Sequence, residues 1–341
     1  MTHTLPQART PDPREAPALR WGIMGPGWIA HRFVESLQAN TTQRVVAVGS
    51  RDQSRAAAFA AQWSLPKVHN SYEALLGDPD VDIVYIATTH PSHHENAIEA
   101  LDAGKHVLVE KPLAADAAGA RDIAATAARA GLFAGEAMWT KFLPKFDVIR
   151  QLLDDGALGE IRTVIADHGE FFTPDHRIYD ATLAGGPLLD LGTYPIALAH
   201  MVFDSFESVS ARGQDALPGL NGQIAAVLAD SAGNQAVLHT TILSDTPTAA
   251  VISGRDATLH IDGPFFMPGP FTLTRHRGHP EDPGLALRYD EKPGVQADGL
   301  HYAAVEAARL ITQGRTESEI HPLRYAISTL DVVDEIRRQL G

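Results

Sequence analysis

Cysteine is absent from this chain of 341 residues. Without thiols the protein has no disulfide, no iron–sulfur cluster, no thiolate zinc site and no cysteine nucleophile. Positive charge is also scarce, because 28 Lys and Arg residues stand against 42 Asp and Glu residues, which gives a formal net charge of −14. Since phosphate backbones and anionic lipid surfaces attract basic faces, the composition predicts neither a nucleic-acid partner nor a membrane partner.

Long apolar runs are missing as well. Runs such as residues 82–87 are far shorter than the about 20 residues that span a bilayer. The first residues are polar and rich in proline, and they lack the apolar segment of a signal peptide. We therefore expect a disordered tail over residues 1–18 and a cytoplasmic location.

The first half of the chain alternates short strand-like runs with helical patterns. The length predicts about two domains at roughly 150 residues each. Runs rich in Val and Ile are typical of strands buried on both faces of a parallel sheet, and they lie at 19–24, 44–49, 83–87 and 106–109. This order predicts a Rossmann-type, doubly wound α/β domain over residues 19–138.

Beyond about residue 138 the strand patterns become longer and follow one another without intervening helices. They lie at 161–172, 222–228, 235–243, 250–261 and 271–276. One helix over about 187–203 precedes most of them, and helices over about 302–312 and 322–339 close the chain. The pattern predicts an α+β domain over residues 139–341 with an open, predominantly antiparallel sheet.

A glycine-rich turn joins the first predicted strand to the first predicted helix. Gly25, Gly27 and Ala30 have G-x-G-x-x-A spacing, in which the glycines permit a tight turn and a close approach to a pyrophosphate. A plain glycine turn is the alternative, but the position between strand and helix favours dinucleotide binding. The loop residues predicted to hold the cofactor are Gly25, Pro26, Gly27, Trp28 and Ile29.

The end of the second predicted strand indicates which dinucleotide binds. An NAD site usually has an acid there to hold the ribose 2′-hydroxyl, but this chain has Ser50 followed by Arg51. Ser50 does not repel a 2′-phosphate, and Arg51 can bind it with two donors, with Arg55 one helical turn further on. A solvated arginine pair beside Asp52 is the alternative. The residues favour NADP, with NAD less favoured.

Two further groups of residues indicate chemistry. Glu110 and Lys111 follow a buried strand, at the carboxyl edge where α/β sheets bind ligands. Asp190 and Tyr194 are four residues apart, which predicts that both lie on one helix face, where a tyrosine could carry a proton. The alternatives are a surface lysine at a strand exit and a tyrosine packed in the core with Asp190 as its partner.

Six ordered stretches resemble the Gfo/Idh/MocA (glucose–fructose oxidoreductase / inositol dehydrogenase) family, and the likeness spans nearly the whole chain after residue 18. They are Arg-Trp-Gly-Ile at 20–23, Ser-Arg-Asp-Gln-Ser-Arg-Ala at 50–56, Thr-His-Pro-Ser-His at 89–93, Glu-Lys-Pro at 110–112, Glu-Ala-Met-Trp-Thr at 136–140 and Leu-Leu-Asp-Leu-Gly-Thr-Tyr at 188–194. The resemblance implies a Rossmann domain joined to an α+β domain that dimerises through its open sheet. It also implies that Lys111 is catalytic and that Tyr194 is the acid/base, with Asp190 as a positioning group.

A histidine cluster lies near the predicted nicotinamide-side loop, at His90, His93, His94 and His106. Closely spaced imidazoles can bind zinc, but the resembling family needs no metal. In addition, Ser92 and Glu95 have capping-box spacing, which would turn His93 and His94 to different helix faces. We therefore expect no metal, and we expect Thr88, His90 and His93 to lie with Glu110 and Lys111 around the cofactor.

Aromatic residues are the candidates for the substrate pocket. The resemblance implies that Trp139 walls this pocket with Tyr194, and Phe172 lies in the loop before the Asp190 helix. Aromatic faces stack well on the apolar faces of sugars and dihydrodiols, although core packing is a close alternative for Trp139.

These residues together predict an NADP-dependent oxidoreductase that acts on a CH–OH carbon of a sugar, cyclitol or dihydrodiol. One alternative is a redox-neutral, NAD-dependent glycoside-processing enzyme, and another is a non-catalytic NADP-binding sensor. Apolar side chains on both faces of the 222–228 strand predict a homodimer or higher homo-oligomer, since a second buried face needs a cover.

Overall fold

A computed structural model describes residues 4–276 and 285–341, which divide into two compact units. The parallel-sheet unit contains Pro11–Phe142 and Gln296–Leu330. The mixed-sheet unit contains the described residues of Met1–Thr10 and Leu143–Val295, together with Asp331–Gly341. Residues 296–330 belong to the predicted second domain of residues 139–341, but they pack with the parallel-sheet unit.

Six strands form the sheet of the parallel-sheet unit. They are β1 (Arg20–Met24), β2 (Arg44–Gly49), β3 (Lys67–His69), β4 (Ile83–Ile86), β5 (His106–Val109) and β6 (Ala134–Glu136). Their order is β3-β2-β1-β4-β5-β6 and all neighbours are parallel, which confirms the predicted Rossmann-type fold. The predicted strand runs do not include β3 and β6, because three residues each are too few for a recognisable pattern.

The helices of this unit are α1 (Trp28–Asn40), α2 (Gln53–Trp63), α3 (Tyr72–Leu76), α4 (His93–Asp102) and α5 (Ala117–Ala130). The Asp52 side chain caps α2 and the Asp116 side chain caps α5 by accepting backbone N–H groups of the first turn. The predicted capping box at Ser92 is wrong. Ser92 has helical backbone angles and ends a 3₁₀ turn that runs directly into α4, so its side chain does not cap the helix.

The mixed-sheet unit begins with α6 (Pro144–Asp154), α7 (Pro187–Asp190) and α8 (Thr193–Val202) around the first strand of a second sheet. Its eight strands are β7 (Ile161–Gly169), β8 (Ser208–Leu217), β9 (Leu220–Ala229), β10 (Gln235–Thr241), β11 (Ala250–Gly254), β12 (Ala257–Ile261), β13 (Phe271–Arg275) and β14 (Ala286–Tyr289). Their order is β14-β13-β12-β11-β7-β10-β9-β8, and β7 and β10 form the one parallel pair among these described strands. The expected open, predominantly antiparallel sheet is confirmed. The sequence analysis missed α6, β8 and β14.

The two faces of the second sheet differ in burial. On one face Val164, Ile224 and Leu238 are buried, and α8 packs there against β7 and β10. On the other face Ile165 and Val237 are half-exposed or nearly so. The strand registers place Val227, Val237 and Ile165 side by side in one row across β9, β10 and β7.

The chain closes with α9 (His301–Thr312) and α10 (Leu323–Leu340). In the parallel-sheet unit, α9 packs on α1, where the buried Ser36 Oγ lies 2.9 Å from Nδ1 of His301 and accepts the His301 N–H at 3.1 Å. Burial lowers the pKa of His301 to about 4. This buried contact explains why residues 296–330 join the first sheet rather than the second.

The expected disordered tail makes defined contacts over its described residues. Arg9 donates to both carboxylate oxygens of Asp147 in α6, at 2.7 Å through its backbone N–H and at 3.0 Å through its guanidinium. Ala16 is buried, and a 3₁₀ turn spans Pro13–Glu15. The poorly exposed Asp147 carboxylate needs a cation, and Arg9 supplies it, which the composition of the segment did not reveal. Within residues 4–276 and 285–341, no helix combines the length and the apolar character that a membrane crossing needs.

Candidate active site

The turn after β1 has the geometry that a dinucleotide requires. Gly25 has φ +93°, and a Cβ there would lie 3.0 Å from the Ala87 carbonyl oxygen and 3.1 Å from the Thr88 methyl carbon. Gly27 precedes the first turn of α1, where a glycine offers no side chain to the helix N–H groups. Backbone donors at this helix end favour an anion, so the turn fits a pyrophosphate. Trp28 is exposed beside it.

The end of β2 presents Ser50 and Arg51 rather than an acid. Ser50 Oγ accepts the Asp52 N–H at 3.1 Å, and the Asp52 carboxylate accepts the N–H groups of Ser54 and Arg55 as the cap of α2. The guanidinium of Arg51 lies 6.0 Å from the ring centroid of Tyr72. Asp52 is therefore engaged in capping α2, and the exposed Arg51 lies over an aromatic ring.

Buried Glu110 fixes the start of the loop after β5. The Tyr85 hydroxyl donates to one carboxyl oxygen of Glu110, and the Lys111 N–H donates to the other at 3.1 Å. Burial raises the pKa of Glu110 to about 7. The carboxyl group therefore ties the backbone of Lys111 to β4, while the Lys111 side chain is partly exposed.

The next residues of this loop are held by other buried side chains. His93 Nδ1 lies 2.7 Å from the Pro112 carbonyl oxygen, and Nε2 lies 3.2 Å from that of Thr88. The Leu113 N–H donates to Glu136 at 2.8 Å, and the other oxygen of Glu136 lies 2.7 Å from His321 Nε2. We call Glu110, His93, Glu136 and His321 the polar brace of the Lys111 loop.

Both ring nitrogens of His93 are engaged within the protein. Its side chain is fully buried and burial lowers its pKa. Both ring nitrogens face backbone carbonyls, so the ring holds the loops that follow β4 and β5 together. Asn96 supports the same place by donating to the Thr88 hydroxyl at 2.8 Å. His93 and Asn96 therefore hold these two loops in place, and the place of His93 beside the cofactor stays a prediction.

The other histidines of the sequence cluster have different surroundings. His90 is buried, with its ring centroid 5.7 Å from that of His93. His94 pairs with Asp122 at 2.8 Å, and His106 Nδ1 accepts the Phe133 N–H at 2.9 Å. Over residues 4–276 and 285–341 the structure brings together no three side chains that could bind a metal ion.

Asp190 and Tyr194 lie on two successive helices, so the prediction of one helix over 187–203 is wrong. The N–H groups of Leu191 and Gly192 both donate to the Pro187 carbonyl, at 2.9 and 2.8 Å, which ends α7. A Cβ at Gly192 would lie 2.7 Å from the Leu188 carbonyl oxygen, a tight turn that glycine permits. The i,i+4 argument for a shared helix face therefore fails. Asp190 lies 3.4 Å from the Arg177 guanidinium.

Aromatic rings surround Tyr194 in the mixed-sheet unit. Its side chain is 4% exposed, and its ring stacks on Phe266 with a centroid separation of 4.5 Å. His168 from β7 stacks on the same Phe266 ring at 4.5 Å and lies 5.4 Å from Tyr194. The three rings form a cluster that we call the tyrosine stack.

The two other pocket candidates lie in different units. Phe172 stacks on His176 at 4.6 Å and packs on Ile178 and Leu191, next to the break between α7 and α8. Trp139 is 1% exposed in a 3₁₀ turn of the parallel-sheet unit, which α9 contacts. Such burial is typical of core packing, the alternative that the sequence left open for Trp139.

The structure thus collects the predicted cofactor residues at the carboxyl ends of β1, β2, β4 and β5, while Asp190, Tyr194 and Phe172 belong to the mixed-sheet unit. Sequence reasoning missed Tyr85, Glu136, His321, His168 and Phe266. For His168 a signal existed, because it alternates with Val164 and Ala166 on the buried face of β7. His321 and Glu136 are too far apart in the chain for a local pattern.

Comparison with known proteins identifies the family. Residues 19–137 match the oxidoreductase family model with an NAD-binding Rossmann fold, and residues 146–260 match the model of the GFO/IDH/MocA C-terminal domain. The chain belongs to the Gfo/Idh/MocA oxidoreductase family. It is 34% identical to trans-1,2-dihydrobenzene-1,2-diol dehydrogenase of Bos taurus over 95% of this chain and 97% of that one, and 35% identical to the Oryctolagus cuniculus protein of that name over 94% and 98%.

Solved structures show the same fold. A 3-ketoreductase from Actinomadura kijaniata in complex with NADP and TDP-benzene is 27% identical, with a TM-score of 0.80 over 95% of this chain and 98% of that one. A levoglucosan dehydrogenase in complex with NADH and levoglucosan has a TM-score of 0.85 over 95% and 97% at 16% identity, a likeness of fold alone. With the family and its relatives, these findings make the chain an NAD(P)-dependent dehydrogenase.

Proposed function

We propose that this dehydrogenase uses NADP and acts on a CH–OH carbon of a sugar, cyclitol or dihydrodiol. The observation that carries the proposal is the polar brace, which fixes the backbone around Lys111 at the same sheet edge as the glycine turn. A merely solvated lysine needs no such support. Dihydrodiol dehydrogenases at 34% identity over almost the whole chain support the substrate class.

Each catalytic side chain has a separate task in this proposal. A bound NADP would supply the acceptor for the hydride that leaves the substrate carbon. Tyr194 takes the proton of the substrate hydroxyl, and the Lys111 ammonium stabilises the negative charge that develops on the oxygen. Asp190 orients the substrate, with its carboxylate held by Arg177. In the reductive direction Tyr194 returns the proton.

The preference for NADP rests on the end of β2. A 2′-phosphate carries negative charge, and Arg51 is the exposed cation that follows the strand. Asp52, the nearest acid, is already engaged by the N–H groups at the start of α2. We assign Ser50, Arg51 and Arg55 to the 2′-phosphate, and the turn from Gly25 to Ile29 to the pyrophosphate.

A substrate panel tests the proposal. The wild-type protein is mixed with sugars, cyclitols and vicinal diols, including D-xylose and trans-dihydrobenzenediol, with NADP or NAD in parallel, and the absorbance of reduced nicotinamide is followed. We expect reduction of NADP with at least one polyol. A product that forms without any reduced cofactor would favour the redox-neutral alternative. Cofactor binding without turnover of any polyol would favour the sensor.

We also infer a homodimer or higher homo-oligomer that forms through the exposed face of the second sheet. The row of Val227, Val237 and Ile165 is 38%, 40% and 50% exposed, which is costly for aligned apolar side chains in water. A two-fold interface of about 2,000 Å² would cover them.

Light scattering at micromolar concentration tests the assembly. We expect at least twice the chain mass of 36.7 kDa for the wild type and 36.7 kDa for Val237→Asp. Val295→Asp is the matched control, because Val295 is 62% exposed but lies outside the strands. A wild-type mass of 36.7 kDa would contradict the dimer.

A further inference from the structure

His168 is a buried imidazole in contact with the proposed acid/base. It lies on the inner face of β7 and is 1% exposed. Its ring stacks on Phe266 at 4.5 Å with an interplanar angle of 29°, and its centroid is 5.4 Å from that of Tyr194. The family resemblance and the predicted site residues gave this histidine no role.

Both ring nitrogens of His168 face oxygen acceptors. Nδ1 lies 3.1 Å from the backbone carbonyl oxygen of Leu191, and Nε2 lies 2.9 Å from a carboxylate oxygen of Glu170. A neutral imidazole has one N–H, so it can donate to one of these oxygens and leaves the other without a proton. An imidazolium donates to both, and the Glu170 carboxylate then balances its charge.

The surroundings of the ring also suit a cation. The face of Phe266 attracts positive charge, and Glu170 is 46% exposed at its side chain, so water stabilises the partner of the ion pair. The titratable groups that face His168 in these contacts are Glu170, directly after the end of β7, and Tyr194 from α8. Leu191 contributes a carbonyl dipole and Phe266 contributes an uncharged ring.

We propose that His168 is a positioning residue for Tyr194, and that it acts as an imidazolium held by Glu170 and the Leu191 carbonyl. Its charge favours the tyrosinate form that accepts the substrate proton. Its bond to Leu191 fixes the break between α7 and α8, one turn before Tyr194. His168 keeps its own proton throughout, so the proton of the substrate goes to the Tyr194 oxygen. The catalytic part of this inference rests on the proposed function.

Two variants separate charge from packing. His168→Phe keeps an aromatic ring against Phe266 and Tyr194 but removes the charge and both hydrogen bonds. Glu170→Gln keeps His168 and removes the carboxylate that stabilises the imidazolium. Glu207→Gln, an exposed acid in the same unit, is the control. If His168→Phe does not fold, Glu170→Gln still tests the charge.

The first readout needs no substrate. Tyrosinate absorbance is titrated in the wild type and in Tyr194→Phe, and the difference isolates Tyr194. The same difference is measured in the His168→Phe and Glu170→Gln backgrounds. We expect the midpoint of Tyr194 to rise by about one to two pH units in both, and to stay in place with Glu207→Gln. An unchanged midpoint in both backgrounds overturns the inference.

The second readout uses the polyol found by the panel. The pH below which kcat/KM for oxidation falls should rise by the same amount in both variants, with recovery of activity at high pH. A role in packing alone would instead lower kcat/KM equally at every pH, which contradicts the inference. If Tyr194→Phe stays fully active while the midpoint shift is seen, the proposed function fails and the coupling of His168 to Tyr194 stands.

Discussion

The surroundings of Lys111 and Tyr194 differ in the forces that hold the side chain in place. The backbone N–H groups of the Lys111 loop donate hydrogen bonds to buried ionisable groups, among them Glu110 and Glu136. Tyr194 is fixed by ring contacts with Phe266 and His168. A brace of ionisable groups should respond to charge changes and pH, because each buried charge depends on its partner. In the tyrosine stack the packing of the rings should respond to shape, and the ionisation of Tyr194 should respond to the charge of His168.

The largest expected effect is on the two side chains that we propose to be catalytic. Lys111→Met and Tyr194→Phe should each lower kcat/KM by about 10²- to 10⁴-fold, since each removes a group that stabilises charge or carries a proton. Cofactor affinity, measured by fluorescence titration, should change far less in Tyr194→Phe. Lys292→Met, a change at an exposed lysine, is the control and should leave turnover unaltered. Full activity in either catalytic variant would remove that residue from the mechanism.

The next effect tests how much the polar brace contributes to the stability of the folded protein. Glu136 and His321 are 3% and 1% exposed at their side chains and 2.7 Å apart. Glu136→Ala should lower the free energy of unfolding by about 3–5 kcal/mol, because it leaves the Leu113 N–H and His321 unpaired in the interior. Glu319→Ala, which removes an exposed partner of Arg315, should cost about 1 kcal/mol or less. If urea denaturation shows equal losses of unfolding free energy for Glu136→Ala and Glu319→Ala, the Glu136–His321 contact contributes no more to stability than a surface ion pair.

The pH dependence of stability tests the comparison between the Lys111 loop and the tyrosine stack further. Burial raises the pKa of Glu110 from 4.5 to about 7, so the folded state holds this proton more tightly than the unfolded chain does. The contribution of Glu110 is therefore fully present at low pH and falls by about 3 kcal/mol as pH rises from 4.5 to about 7.

Glu110→Gln should remove this dependence. The stability of the variant relative to wild type should increase over that pH range, as measured by denaturant unfolding at several pH values. A difference between the two proteins that stays constant with pH would show that Glu110 does not titrate in this range.

The smallest expected effect concerns Arg51, which follows the carboxyl end of β2 in the parallel sheet. Arg51→Ala should weaken NADP binding by about 1–3 kcal/mol, because it removes a charge-assisted contact, and should barely change NAD binding. Arg44→Ala, at the other end of β2, is the control. Equal losses for both cofactors would mean that Arg51 does not contact the 2′-phosphate.

Local sequence patterns predicted much of the fold. They failed where contacts with residues distant in the chain determine the structure. The bounds of β2 and β5 agree with the sequence, because both strands are continuous apolar runs with clear ends. The break between α7 and α8 was not predicted. A glycine in a helical pattern can continue the helix or end it, and only the close approach of Gly192 to Leu188 shows that the helix ends here.

The candidate site also has features that local patterns predict and features that depend on contacts between distant residues. The glycine turn was recognisable because its chemistry lies in adjacent residues, whereas the role expected for Lys111 came from the family resemblance. The Glu136–His321 contact joins residues 185 positions apart, and the contact of His168 with Tyr194 depends on how α8 packs on β7. Arg9 was assigned to a tail for the same reason, because its partner Asp147 lies in another element.

The most direct test of the central claim follows the hydride itself. The polyol identified by the panel is prepared with deuterium at the carbon that is oxidised, and the wild-type protein converts it with NADP. Mass spectrometry of the reduced cofactor should show one deuterium gained for each NADP reduced. A reduced cofactor without the label, or product without reduced cofactor, would contradict direct transfer between the substrate carbon and the nicotinamide.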